Sequence, residues 1–167
     1  AYTLEEDPNW DTPFMGSTVH AKSLKDKGIV VRGMVSLEMI GYFADNFGSQ
    51  SYPVPFLHLV YPQKGNFISI VGDTNQRQLI GEIKKAMQAS VLIEVYSFSA
   101  PQITPGLDYS DHLSYWKHGY PAVMITDTAY NRNHHYHTVD DTAEKLDYPR
   151  MAQVVNGVFY YLQELSP

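Results

Sequence analysis

The chain has 167 residues, 44% of them hydrophobic and 18% charged, with no cysteine and a formal net charge of −6. That size suits one domain with a real core. The absence of cysteine excludes thiolate metal sites, disulfides and a cysteine nucleophile, and the acidic balance without a Lys/Arg cluster argues against nucleic acid as a partner. No apolar run reaches membrane-spanning length, and the N-terminal residues do not read as a signal peptide, so the compartment stays open.

In chain order, residues 1–4 read as the tail of a strand. Gly16-Ser17 opens a helix that runs to Lys27 and closes at Gly28. Residues 29–39 are nearly all apolar, as in a strand buried on both faces. Residues 41–65 form a long Pro/Tyr/Gly-rich stretch with no helical period, the kind of loop that is functional or a cover. A strand over 67–71 precedes a helix over 76–89, capped by Asp73-Thr74-Asn75. A strand over 91–98, an irregular segment over 99–109, a helix from Ser110-Asp111 to Gly119 and a buried strand over 121–126 follow. The final helix covers 148–165, with Met151, Val154, Val155, Val158, Tyr161, Leu162 and Leu165 at helical spacing. Strands separated by helices predict a single α/β domain over 1–167, three-layered, with a mixed but mostly parallel sheet and helices on both faces.

Chemistry-bearing residues stand at strand ends or in the loops after them: Glu5-Glu6, Glu38, Ser110-Asp111-His112 and the run from Arg132 to Thr142 that holds His134, His135 and His137. In an open α/β sheet such positions converge on one rim. Carboxylate oxygen and imidazole nitrogen are ligands for zinc and other divalent ions, and a free carboxylate beside a hydrolytic metal can act as general base. Each motif also has an ordinary reading. Adjacent glutamates are mostly solvated surface, and Ser110-Asp111 is a natural helix cap. Glu38 is harder to dismiss, because it interrupts an apolar strand and must be paired, metal-bound or at the strand's end. His134 and His135 read as exposed loop residues, and His20, His58 and His118 have no ligand-like neighbours.

The succession Glu5-Glu6, Gly16-Ser17, Ser36-Leu37-Glu38-Met39-Ile40-Gly41-Tyr42, Ser110-Asp111-His112, Gly119-Tyr120-Pro121-Ala122, Tyr136-His137-Thr138 and Asp141-Thr142 resembles the M28 family of zinc aminopeptidases. The motifs follow the family's order over essentially the whole chain. The resemblance implies a zinc-aminopeptidase-like fold and a co-catalytic two-zinc site that hydrolyses N-terminal peptide bonds of substrates with a free amino terminus. By position, Glu5 resembles the general base, Glu6 and His137 ligands to one zinc, and Glu38 the acidic ligand to the other. Asp111 and Asp141 would orient a ligand or the histidine loop, and Tyr109, Arg132 and Asn133 would meet substrate. The family is often secreted or periplasmic.

The departures from the family pattern matter as much. The family's further His and its metal-bridging Asp come from a segment upstream of the Glu-Glu pair, so the resemblance marks the chain as an N-terminally truncated, C-terminal portion of such a catalytic domain. On that reading the chain alone holds an incomplete zinc site, is inactive, and leaves a raw sheet edge that invites self-association. The segment between Glu6 and Gly16 is longer than in the shorter members, and only Tyr109 stands where some members carry an oxyanion-stabilising Tyr. Two alternatives share the fold: a glutaminyl-cyclase-like acyltransferase with a single zinc, and a non-catalytic binding domain.

Overall fold

A computed structural model describes residues 1–54 and 56–165. Its sheet has four strands, β1 (Met34–Glu38), β2 (Phe67–Asp73), β3 (Glu94–Ala100) and β4 (Ala122–Thr126), in the order β1-β4-β2-β3. β1 is parallel to β4 and β2 to β3, while β2 and β4 run antiparallel, so the sheet is mixed as expected. Four helices cover it: α1 (Gly16–Asp26), α2 (Arg77–Ser90), α3 (His112–Lys117) and α4 (Tyr148–Glu164).

The two central strands explain the two-sided cover. Every residue of β2 and β4 is buried. Side chains alternate across a strand, so Val123 and Ile125 join Ile68 and Ile70 in a cluster with α2 and α4. Ala122 instead packs with Ala21 of α1 and Tyr115 of α3, and Met124 with Val71 and Leu107. The α2 positions Leu79, Ile80, Ile83, Ala86 and Met87 are all buried and follow the helical period. Asp147 caps α4 by accepting the Arg150 N–H at 2.9 Å.

Three expectations are corrected. The first strand is only Met34–Glu38; Ile29 and Val30 precede it in irregular backbone and are exposed, and β1 itself is an edge strand with a neighbour on one side alone. Residues 1–4 are irregular rather than strand: Thr3 accepts the Gly16 N–H at 2.9 Å, and Leu4 has a left-handed backbone. Ser110-Asp111 stands at the start of α3, but Asp111 makes no capping bond there and the Ser110 hydroxyl is committed elsewhere. By contrast α1 ends where expected, with Gly28 beyond it at φ +65°.

Candidate active site

The parallel pair β1–β4 ends at one rim, where Glu38 is in register with Thr126. Glu38 is therefore the last residue of its strand, and its Oε2 accepts a hydrogen bond from the buried Ser110 hydroxyl at 3.0 Å. A second hydroxyl, Ser36 Oγ, lies 2.7 Å from Ser110 Oγ. A carboxylate in an apolar strand thus keeps hydrogen-bonded company at the strand's end. Burial pushes the Glu38 carboxyl above its ordinary range; the Ser110 bond pulls it down, and the charges of Glu6 and Asp111 push it up.

Glu5 and Glu6 reach the same rim from the N-terminal segment. Glu5 is half-buried, and desolvation, followed by the charges of Glu38, Glu6 and Asp111, pushes its carboxyl up to about 7. Glu6 is exposed, and its Oε1 lies 3.6 Å from Nε2 of His137. His137 also exerts a favourable field on Glu38. Three segments far apart in sequence thereby gather three carboxylates and an imidazole at the carboxyl end of a parallel strand pair. His137 has a left-handed backbone at φ +57°, uncommon for a residue with a side chain, and its ring stacks on Tyr136 with centroids 3.9 Å apart. His134 is exposed.

The histidine loop is closed at its base. The buried Asn133 donates from Nδ2 to Asp141 Oδ1 at 2.9 Å, and its Oδ1 accepts the His135 N–H at 2.9 Å. Asp141 therefore touches the loop's other end. Asp111 lies close enough for its charge to act on Glu5 and Glu38, and burial raises its own carboxyl. Of the three residues expected to meet substrate, Tyr109 is half exposed and lines a cavity. Arg132 and Asn133 are each only 1% exposed, with their polar atoms turned inward, which places them beneath the loop rather than on its surface.

That cavity, about 120 Å³, adjoins Glu38 and is walled mainly by Tyr52, Tyr61, Phe98, Leu107 and Met124. The Tyr52 hydroxyl donates to the Pro62 carbonyl and the Tyr61 hydroxyl to the Ser97 carbonyl, so the rings turn their apolar faces inward. Part of the wall belongs to the 41–65 stretch read as a cover. The leading loop residue missed in the sequence is Asp127, fully buried one position past β4. It carries the same signal as Glu38, a carboxylate closing an apolar strand.

The chain matches the family description "Peptidase family M28" over residues 1–162. It belongs to that family. The Escherichia coli (strain K12) protein YfbL is 47% identical over 162 residues, covering 97% of this chain and 49% of that protein. A "Probable leucine aminopeptidase" of Arthroderma benhamiae is 35% identical over 79 residues, 46% of this chain and 21% of that one. The chain thus spans about half the length of YfbL and less of the other relative. Among solved structures, the Legionella pneumophila LapA aminopeptidase aligns with TM-score 0.63 and 19% identity over 90% of this chain and 35% of that chain. The Bacillus subtilis zinc aminopeptidase BSAP aligns with TM-score 0.60 and 15% identity over 90% and 32%. At such identities these likenesses establish a shared fold.

The donors can be compared with what an M28 zinc site requires. A carboxylate and an imidazole 3.6 Å apart, with a second carboxylate nearby, are the right donor types. Their number falls short: among the described residues no three His, Cys, Asp or Glu side chains are gathered so as to hold a metal ion.

Proposed function

We propose that this chain is the part of a zinc-dependent aminopeptidase that carries the general base, part of the metal donor set and the side-chain pocket. The supporting observation is the gathering of Glu5, Glu6, Glu38 and His137 on one rim beside an apolar cavity. Glu6 and His137 would hold one zinc and Glu38 would give an oxygen to a second. Bound zinc supplies Lewis acidity toward the scissile carbonyl and toward water. The remaining donors come from outside this chain, so the chain alone is read as inactive.

Glu5 takes the proton from the attacking water and returns it to the leaving amine. Ser110 fixes the orientation of Glu38, and the Asn133–Asp141 bond fixes the loop that presents His137. The cavity receives the side chain of the substrate's first residue, and its aromatic and aliphatic walls favour a large apolar one.

The test is hydrolysis of leucyl, phenylalanyl and alanyl p-nitroanilides by the full-length zinc-loaded protein. Release of p-nitroaniline fastest from the apolar substrates supports the reading. Release of ammonia from N-terminal glutaminyl peptides without hydrolysis would replace it by a cyclase. Leu57→Trp, which puts an indole at the start of the short 3-10 helix Leu57–Leu59 in the cavity wall, is expected to lower kcat/KM for the leucyl substrate about tenfold and to leave the alanyl substrate nearly unchanged. Equal losses on both would remove the cavity as the side-chain pocket.

A further inference from the structure

Two buried opposite charges lie beneath this rim, and neither touches the carboxylates gathered on it. Asp127 is 0% exposed and Arg132 is 1% exposed. They act on each other through space: the Arg132 charge favours the Asp127 carboxylate, and the Asp127 charge favours the guanidinium. Each is costly to bury and must be matched by local hydrogen bonds. Where those bonds go is informative.

Asp127 grips the segment that continues from Glu38. Its N–H donates to the Met39 carbonyl at 2.6 Å, and its Oδ2 accepts the Tyr42 N–H at 2.7 Å. Its Oδ1 accepts the Ala129 N–H at 3.0 Å. Arg132 holds the opposite face of the same residue. Its Nη1 donates to the Tyr42 carbonyl at 3.1 Å and to the Phe67 carbonyl at 2.9 Å, while Nε donates to Gln50 Oε1 at 2.9 Å. The Tyr42 main chain is therefore held at its N–H by the anion and at its carbonyl by the cation. The guanidinium lies over Phe67 and Phe43, 4.6 and 5.7 Å from their ring centroids. Gly65 leaves it room: a Cβ there would stand 2.6 Å from Arg132 Cδ and Nε.

Both segments need such holding. Met39, directly after Glu38, has φ +48°, and Thr128, Ala129 and His137 have φ +81°, +47° and +57°. Left-handed backbone at residues with side chains persists only where the surroundings over-determine it. Arg132 opens the loop that Asn133 and Asp141 close around His137. We propose that Asp127 and Arg132 are positioning residues, a buried charge couple that joins the segment carrying Glu38 to the loop carrying His137 by gripping Tyr42 from both sides. This role rests on the aminopeptidase reading for its kinetic consequence but not for its structural one.

The test uses the full-length protein with Asp127→Asn, Arg132→Lys and Gly65→Ala. Asn is isosteric but uncharged; Lys keeps the charge but loses the fork; the Ala methyl displaces the guanidinium without altering either charge and keeps the test open should a charge variant not fold. With zinc bound, each is expected to lower kcat on leucyl p-nitroanilide by about 10- to 100-fold, with KM within about threefold, because small misplacements of reacting groups have effects of that order. Without metal, amide hydrogen exchange should accelerate together in 39–42 and 133–141 while α2 and α4 keep their protection. Unchanged kcat in folded Arg132→Lys overturns the positioning role. So does exchange that speeds up evenly over the whole molecule, or in only one of the two segments. An inactive wild type would count against the aminopeptidase reading alone, and the exchange experiment would still decide the couple.

Discussion

Replacing Glu5 by Gln in the full-length zinc-loaded protein is expected to lower kcat by about 10²- to 10⁴-fold, the range a positioned acid–base group supplies. Bound zinc should be retained. The expectation follows from the division of labour on the rim. Glu6 faces His137 at 3.6 Å and is the better placed donor, whereas Glu5 lies half-buried among Glu38, Glu6 and Asp111. In the metal-free chain desolvation and three like charges raise its carboxyl to about 7. Gln fills the same volume, cannot accept the proton, and leaves the Glu6–His137 pair intact. The measurements are kcat on leucyl p-nitroanilide across pH 5–9 and zinc content by elemental analysis after gel filtration. Wild-type turnover in the variant would remove Glu5 as the base. Loss of zinc together with activity would make it a ligand instead.

Much of this rim was legible in the sequence, and what escaped did so for physical reasons. Glu38 announced itself because a carboxylate in an apolar strand needs an explanation, and it stands at the strand's end with Ser110 as its partner. The helical period gave α2 and α4, because each buries one stripe against a sheet. The period could not distinguish a two-sided strand from an edge strand over 29–39, since the order of strands in a sheet is a long-range property. Asp127 was readable by the argument used for Glu38. Arg132 was not: a cation in a polar loop looks exposed until Phe43, Gly65 and Phe67, remote in sequence, enclose it. The meeting of Glu5, Glu6, Glu38 and His137 was legible through their places at strand ends and through the ordered motifs, because no local pattern brings those three segments together.

Stability should fall as pH drops from about 6.5 to about 4, by about 3 kcal/mol through His112 alone, when wild type is compared with His112→Gln. His112 is fully buried. Its Nε2 donates to the Leu107 carbonyl at 2.8 Å, its Nδ1 is buried without a hydrogen-bond partner, and Trp116 packs edge-on at 4.6 Å. Burial pushes the imidazole down from 6.5 to about 4; the Leu107 bond and the charge of Asp73 oppose this without offsetting it. The sign follows from proton counting. Between those two pH values the unfolded chain binds a proton that the native imidazole refuses, so acidification favours the unfolded state. The contribution is fully present above about pH 6.5 and is lost as pH falls through about 4. Raised carboxyls act the other way: Glu5, Glu38, Asp111 and Asp127, the last pushed up to about 6, favour the native state as pH falls. A bare pH–stability curve of the wild type would therefore mix opposing terms, whereas the difference from His112→Gln isolates the imidazole. Urea unfolding at pH 4.5, 5.5 and 7, followed by tryptophan fluorescence, measures that difference. It should narrow toward low pH, with the wild type losing its advantage. A difference that stays constant from pH 7 to 4.5 would mean that the ring takes up its proton as readily in the native state as in the unfolded chain, so that burial beside Leu107, a wall of the cavity next to Glu38, does not hold it neutral.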